Sequence, residues 1–337
     1  MGSYIVRRLL QAILTLLLIS FVVFAILDLA PGDPTAQMPG SISAEVQERI
    51  RRSLGLDQPF HIRYLKWLQQ FLINEPLNLV ESVSGIKIGD SANRLRVRSW
   101  GTRSPVVDLL VERLPQTLIV MGSGYFLSIL IAVPIGVISA YKQYSAFDQI
   151  GTFIAMVGFS WPTFFTGLLA IYIFSVKLEW FPSFYDTTHQ VVDFSSLLVQ
   201  IKQSIMPVSI LAFAFSAQFT RYVRSSMLEN LQLDYVRTAR AKGLRERTVL
   251  GTHVLRNSLI PVVTLIALGI PRIITGGVIT EQVFGVNGIG QLLIFGIKNT
   301  DIPLVQTVTF LFGVLTVVFN IVADVMYVIL DPRIRYD

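Results

Sequence analysis

Residues Asp234 to Pro261 read DYVRTARAKGLRERTVLGTHVLRNSLIP, a basic stretch set between two apolar runs. Its spacing predicts two short helices joined at a glycine. Val236 and Ala239 share one side of the first helix. Arg240 and Lys242 fall in its last turn, where cations favour the negative end of the helix dipole. Gly243 stands where a left-handed residue closes a helix. Glu246 opens the second helix, whose Val249, Leu250 and Val254 lie on one face. Pro261 is expected in the first turn of the apolar segment that follows. Two readings fit such a stretch. It is a positively charged loop that only fixes topology, or it is a docking surface for a soluble partner. A loop that sets topology alone needs neither the helical pattern nor the glycine stop.

Outward from this stretch the chain is apolar. Of 337 residues, 52% are hydrophobic and 15% charged, against about 25% charged in soluble domains, and the mean hydropathy is +0.59. Runs near the ~20 residues that a bilayer requires cover about Leu9–Leu27, Gln116–Ala140, Ile150–Val176, Ile205–Phe219, Leu259–Ile279 and Leu304–Leu330. They predict an all-α integral membrane protein with six transmembrane helices. A large extracytoplasmic loop lies between spans one and two, and the quoted stretch forms a cytoplasmic loop between spans four and five. The domains expected are residues 1–30, the first transmembrane helix; 31–104, the extracytoplasmic region; and 105–337, the transmembrane core with the loop 224–258.

Six spans put both termini in the cytoplasm. Arg221 to Arg256, with eight basic and three acidic residues, then faces inward as the positive-inside rule requires. The first run is longer than a signal peptide's core and lacks its cleavage site, so it reads as a retained span. In the outer region, Ala44–Leu54 and Phe60–Leu72 have helical spacing, and Asn78–Trp100 suggests short strands around Gly85 and Gly89. Pro105–Pro115 reads as a separate amphipathic helix at the interface. The net charge of +6 needs no nucleic acid to explain it.

Inside the spans, Pro134, Pro162, Pro207 and Pro271 are expected as kinks. Gly269, Gly276 and Gly277 permit close helix approach, either as intramolecular packing or as a subunit interface beside a pathway. Arg272, Glu281 and Asp324 are the charges nearest a bilayer interior, and such charges are functional candidates. Asp324 shares a face with Asn320 and Tyr327, a pattern of a packing network more than of a proton relay.

Catalytic and metal chemistry has no visible seat. There is no GxxxxGK[ST], HExxH or GxSxG, and no paired carboxylates in a plausible pocket. Cysteines are absent, and the three histidines, His61, His189 and His253, are scattered. No catalytic residue, metal ligand or cofactor is expected on this chain. An ion-coupled secondary transporter calls for inverted repeats and midplane acids, and neither is seen. An intramembrane enzyme needs a constellation that is missing.

Several short motifs occur in a fixed order: RRLL at Arg7–Leu10, APGDP at Ala30–Pro34, LGLDQP at Leu54–Pro59, YLKW at Tyr64–Trp67 and SxPxF at Ser160–Phe164. ARAKGL at Ala239–Leu244 and HxLRNSLIP at His253–Pro261 follow, then GGVxxExVF at Gly276–Phe284, DxPxxQ at Asp301–Gln306 and DPRIRY at Asp331–Tyr336. In this order the chain resembles the inner-membrane permease subunits of ABC importers, in the branch serving dipeptides, oligopeptides and nickel.

The resemblance implies that Arg237, Thr238, Ala239, Arg240, Ala241, Lys242, Gly243 and Leu244 form the coupling helix that docks on an ATP-binding subunit. Aligned on Gly243, the family's E-A-A falls on Arg237, Thr238 and Ala239, so a salt bridge made by the family's glutamate does not carry over. The implied partners are two ATPase subunits, a second homologous permease, an extracytoplasmic solute-binding protein and the lipid bilayer. ATP and Mg are used by the ATPases. The implied location is a bacterial or archaeal cytoplasmic membrane, and Gly269, Arg272, Gly276, Gly277 and Glu281 are candidates for the permease–permease contact or the pathway. Two departures stand out. The family's PGxG is Asn287-Gly288-Ile289-Gly290 here, which suggests a less rigid outer loop. The stretch Phe71–Pro105 is longer than the norm, which suggests contact with the binding protein or gating of the pore.

Overall fold

The computed structural model describes residues 2–29, 45, 48, 52, 57–86, 89, 94–275 and 277–330. Among these the chain is helical, with a single isolated bridge between Arg98 and Pro105. Among the described residues five helices are long and apolar enough to cross a membrane: Val6–Leu29, Val106–Tyr141, Phe194–Leu231, Glu246–Ile273 and Ile302–Val325. Two further pairs, Ala146–Ser160 with Thr163–Lys177 and Val278–Phe284 with Ile289–Lys298, meet that test only as bent units, at 103° and 86°. The count is five, or up to seven if each bent pair crosses.

In order, the elements are α1 (Gly2–Leu29), α2 (Phe60–Gln69), α3 (Glu75–Ser84), α4 (Val106–Thr117), α5 (Ser123–Tyr141), α6 (Ala146–Ser160), α7 (Thr163–Ala170) and α8 (Phe194–Leu231). They continue with α9 (Asp234–Ala241), α10 (Glu246–Thr248), α11 (Arg256–Gly269), α12 (Pro271–Thr275), α13 (Val278–Phe284), α14 (Ile289–Lys298) and α15 (Ile302–Leu330). Single π-turns at Gln70–Asn74, Leu118–Gly122 and Val249–Leu255 join α2 to α3, α4 to α5 and α10 to α11.

Several expectations are corrected. The strands around Gly85 and Gly89 are absent among the described residues, because α3 is helical through Ser84. Gly85 closes it in the left-handed conformation (φ 70°), its N–H on the Glu81 carbonyl. Pro105–Pro115 is not a separate helix. Pro115 removes only its own donor, and the helix runs on to Tyr141. The helix that contains the expected span Ile205–Phe219 is longer than that span, covering 38 residues, about 57 Å. The segment after Ile279, read as a Gly-rich loop, contains α13 and α14.

The prolines divide by position. Pro134 and Pro207 sit inside α5 and α8. Pro162 stands at the start of α7 behind an extended Trp161, and there the chain turns by 103°, as the clash between proline and the residue before it favours. The Ala44–Leu54 helix lies outside the described residues except at three isolated positions, and so do APGDP at Ala30–Pro34 and DPRIRY at Asp331–Tyr336.

The chain divides into two compact units. The larger holds Pro115–Gln291 and Val318–Asp337. Its core is the packing of α5 and α6 on α8, helped by glycines. A Cβ on Gly136 would lie 2.7 Å from Val223 Cβ, and one on Gly124 would lie 2.8 Å from Leu211 Cβ. The second unit holds Gly2–Leu114 and Leu292–Val317. Phe24, Trp67 and Phe310 are buried together there, with Phe60, Tyr64 and Phe71 around them. An Arg63–Asp28 fork ties α2 to the end of α1. Asp301, fully buried ahead of α15, accepts from Ser99 Oγ and, at 3.0 Å each, from the Trp100 and Gly101 amides.

Candidate functional site

The helix α9 ends as its sequence requires. Gly243 has φ +73°, its N–H donates to the Arg240 carbonyl at 2.9 Å, and the Leu244 N–H reaches the Ala239 carbonyl at 3.3 Å. That pair of bonds is a Schellman closure. Nothing lies within 4 Å of a Cβ built on Gly243, so the glycine serves the backbone angle alone.

Val236 and Ala239 are buried under α9, in one cluster with Ala140 of α5, Val223 and Met227 of α8, and Val249, Val254 and Val262 further on. The other side is open. Arg237, Thr238, Arg240, Ala241, Lys242, Gly243 and Leu244 are exposed. The candidate octet therefore splits into seven surface residues and Ala239, which seats them. Arg240 also reaches across Gly243 to Glu246, with Nε–Oε2 at 3.2 Å and Nη2–Oε1 at 2.6 Å. The hydrogen bond that Arg240 donates to Glu246 raises the Arg240 pKa above its ordinary value, and the fork ties α9 to α10.

One expectation about this stretch is corrected. The second helix is not separate from the following span: α10, the π-turn and α11 form one run from Glu246 to Ile273. Pro261 lies inside α11 rather than in an opening turn. Proline in a membrane helix is tolerated when its surroundings satisfy the freed backbone groups. Just upstream, the Asn257 side chain donates to the His253 carbonyl at 3.0 Å, and Ser258 Oγ donates to the Val254 carbonyl at 2.9 Å.

The other candidates fall in different places. Gly269 and Gly277 face side chains of the same chain: a Cβ on Gly269 would lie 3.1 Å from Tyr125 Cζ, and one on Gly277 would lie 2.6 Å from Met121 Sδ. Tyr125 OH donates to the Ile266 carbonyl at 2.6 Å beside Gly269. Arg272 is exposed and donates to Gln218 Oε1 at 3.4 Å. Gly276 and the side chain of Tyr327 lie outside the described residues, and Asp324 is half-buried on α15. Glu281 is fully buried. Its carboxylate accepts from Thr117 Oγ1 at 2.7 Å and from the Gln291 amide at 3.1 Å.

Two sites escaped the sequence reading. Around Glu281, Thr117, Gly288 and Gly290 complete a cradle. The Thr117 hydroxyl also accepts from the Ile289 amide at 2.9 Å, and a Cβ on Gly290 would lie 2.5 Å from Val278 Cα. At the other end of the spans, Asp148 is bound by both Arg224 nitrogens, at 2.6 and 2.8 Å, and by the Tyr144 amide at 3.0 Å. The Ser145-x-x-Asp148 signature marks this helix start, and Ser145 does cap α6. The pairing with Arg224 has no local signal. Among the described residues no group of three or more His, Cys, Asp or Glu could hold a metal ion.

Residues 132–336 match the family described as "Binding-protein-dependent transport system inner membrane component". Residues 1–121 match "Binding-prot-dependent transport system membrane comp, N-term". The chain is 40% identical over 341 residues to the oligopeptide transport system permease protein AppB of Bacillus subtilis (strain 168), covering 100% of both. It is 37% identical over 338 residues to a peptide transport system permease protein of Brucella abortus (strain 2308), again covering 100% of both. Against a peptide ABC transporter permease protein of Sinorhizobium fredii the identity is 35% over 338 residues, with 100% of both covered. With full-length kinship and family matches to both parts of the sequence, the chain belongs to the binding-protein-dependent transport system inner membrane components, the permease subunits of ABC importers.

Proposed function

We propose that this permease imports peptides, and that the exposed face of α9 from Arg237 to Leu244 is where an ATP-binding subunit docks. One observation carries the docking reading: a glycine-terminated basic helix is seated on α5 and α8 through Val236 and Ala239, with its polar face left open. A push on that face is delivered to the two helices that build the core of the larger unit. In this reading two ATPase subunits bind and hydrolyse ATP with Mg, and their motion rocks this chain and a sister permease between inward- and outward-facing states. An extracytoplasmic binding protein supplies the solute. The peptide class rests on the names carried by the relatives. This chain itself acts as a transport subunit and hydrolyses nothing.

The topology in this reading has six spans. The Ala146–Lys177 pair counts as one bent span. The Val278–Lys298 pair does not cross, because the buried carboxylate of Glu281 folds its two short helices together. Both termini and the α9 face then lie in the cytoplasm, in a multi-pass arrangement in the inner membrane.

The test is the peptide-stimulated ATPase of the assembled complex. Proline at Gly243 cannot adopt φ +73° and lacks the N–H that closes the helix. Gly243→Pro should abolish peptide-stimulated hydrolysis with the chain still inserted, whereas Gly243→Asn, which tolerates the left-handed region, should retain it. Full coupled transport in the Gly243→Pro complex would refute the docking role.

A further inference from the structure

The larger unit contains a cavity of about 230 Å³ walled by α5, α6 and α8. On α5 it runs from Leu127 to Ile135, and on α8 from Ser209 to Thr220. At 1.5 Å per residue these walls are roughly 12–16 Å long. Lined over that length by both helices, the cavity is a slot lying along them. No charged residue lines it. The Ser216 hydroxyl in its wall is already bonded to the Phe213 carbonyl at 3.0 Å. An apolar cavity of about 150 Å³ is large enough to hold benzene and stays dry. The charged ends of a peptide find no partner here, and an alkyl chain loses nothing on entering.

The slot opens sideways. Ile131 and Ile154, which line it, are also 36% and 49% exposed. They merge with an exposed apolar face carrying Leu130, Ile150 and Phe153, the kind of surface that hydrocarbon covers.

We propose that this slot holds one acyl chain of a bilayer phospholipid between α5, α6 and α8. Bound there, the chain fills the gap beside α8, the helix that leads directly into the α9 docking face.

The test uses the assembled complex in nanodiscs of phosphatidylcholine bearing a diazirine in its acyl chain, with labelled residues mapped by mass spectrometry after illumination. Label is expected on Ile135 and Ser216 inside the slot as well as on Phe153 outside it. Ala155→Leu, which fills the slot from α6, should remove the inner label and leave Phe153 labelled. Label on Phe153 alone in the unaltered complex overturns the proposal, since the slot is then closed to lipid. A parallel sample carries ordinary lipid and a peptide with a diazirine side chain. Inner label from that peptide and none from the lipid also overturns it, by assigning the slot to the transport path. Neither readout depends on ATPase activity, so failure here is separate from failure of the docking reading.

Discussion

Thr117 and Glu281, 164 positions apart, are joined by a 2.7 Å hydrogen bond in which the threonine hydroxyl donates to a fully buried carboxylate. The same hydroxyl accepts from the Ile289 amide, and the second carboxylate oxygen accepts from the Gln291 amide. One acid thus fixes the end of α4, the body of α13 and the start of α14. The loop between α13 and α14 carries Asn287 where the family has proline, which suggested a less rigid loop. In that loop the Gly288 N–H bonds the Val286 carbonyl, backbone to backbone, and the Thr117 side chain accepts from the Ile289 amide.

Thr117→Val keeps the shape and removes the hydroxyl. The carboxylate loses a donor and the Ile289 amide loses its acceptor, both in a buried setting where an unmet polar group costs about 1–3 kcal/mol. The apparent melting temperature of the purified chain in detergent should fall clearly. Thr117→Ser should restore most of it. Equal stability of the valine and serine variants would mean that the bond contributes nothing.

Glycines in this chain divide by what surrounds them, and two make a clean contrast. A Cβ on Gly288 would fall within the Glu281 carboxylate and the Thr117 hydroxyl, whereas one on Gly251 meets nothing within 4 Å. Gly288→Ala should destabilise by about 1–3 kcal/mol through overpacking. Gly251→Ala, in an exposed helical position, should be neutral or stabilise by up to ~1 kcal/mol. Thermal unfolding of both variants in one detergent decides the contrast, and the same sign for both would count against it.

What the sequence disclosed and what it hid follow one physical line. The closure at Gly243 and the buried pair Val236 and Ala239 are local, set by helical period and backbone angle, and they were legible. The apolar runs were legible too, but their ends were not. Pro115 and Pro261 look like boundaries, yet each removes a single donor, and each lies in a helical run that continues through a π-turn, at Leu118–Gly122 and Val249–Leu255. Partners distant in sequence, such as Thr117 for Glu281, Ser99 for Asp301 and Arg224 for Asp148, leave no spacing to read. Glu281 stood out as a charge near the bilayer, but nothing nearby in sequence shows that its carboxylate is occupied in holding a loop.

The Asp148–Arg224 pair invites a direct test. Asp148 is 4% exposed at its side chain and bound by two nitrogens of a partly covered guanidinium. Removing one member of a buried pair strands the other, at about 3–5 kcal/mol. Asp148→Ala should therefore unfold or destabilise the chain strongly. Arg224→Lys, which keeps the charge but not the fork, should lie between that variant and the natural chain. If Asp148→Ala melts with the natural chain, the pair is structurally idle.

Arg240 and Glu246 pose a subtler question, because the pair is half-exposed, at 43% and 36%. Such a pair contributes at most about 1 kcal/mol to stability, so its importance lies in geometry. It bridges Gly243 and sets the angle at which α9 is presented. Arg240→Glu alone replaces the cation facing Glu246 with a second acid and should impair peptide-stimulated ATPase in the assembled complex while leaving the melting temperature nearly unchanged. The swap Arg240→Glu with Glu246→Arg rebuilds an ion pair of the opposite sense and should recover most of that activity. Were the guanidinium itself the group that the ATPase grips, the swap would be as inactive as the single change. Comparing the two at low and high salt separates the cases further: a bridge internal to the loop weakens with screening in both natural and swapped chains alike.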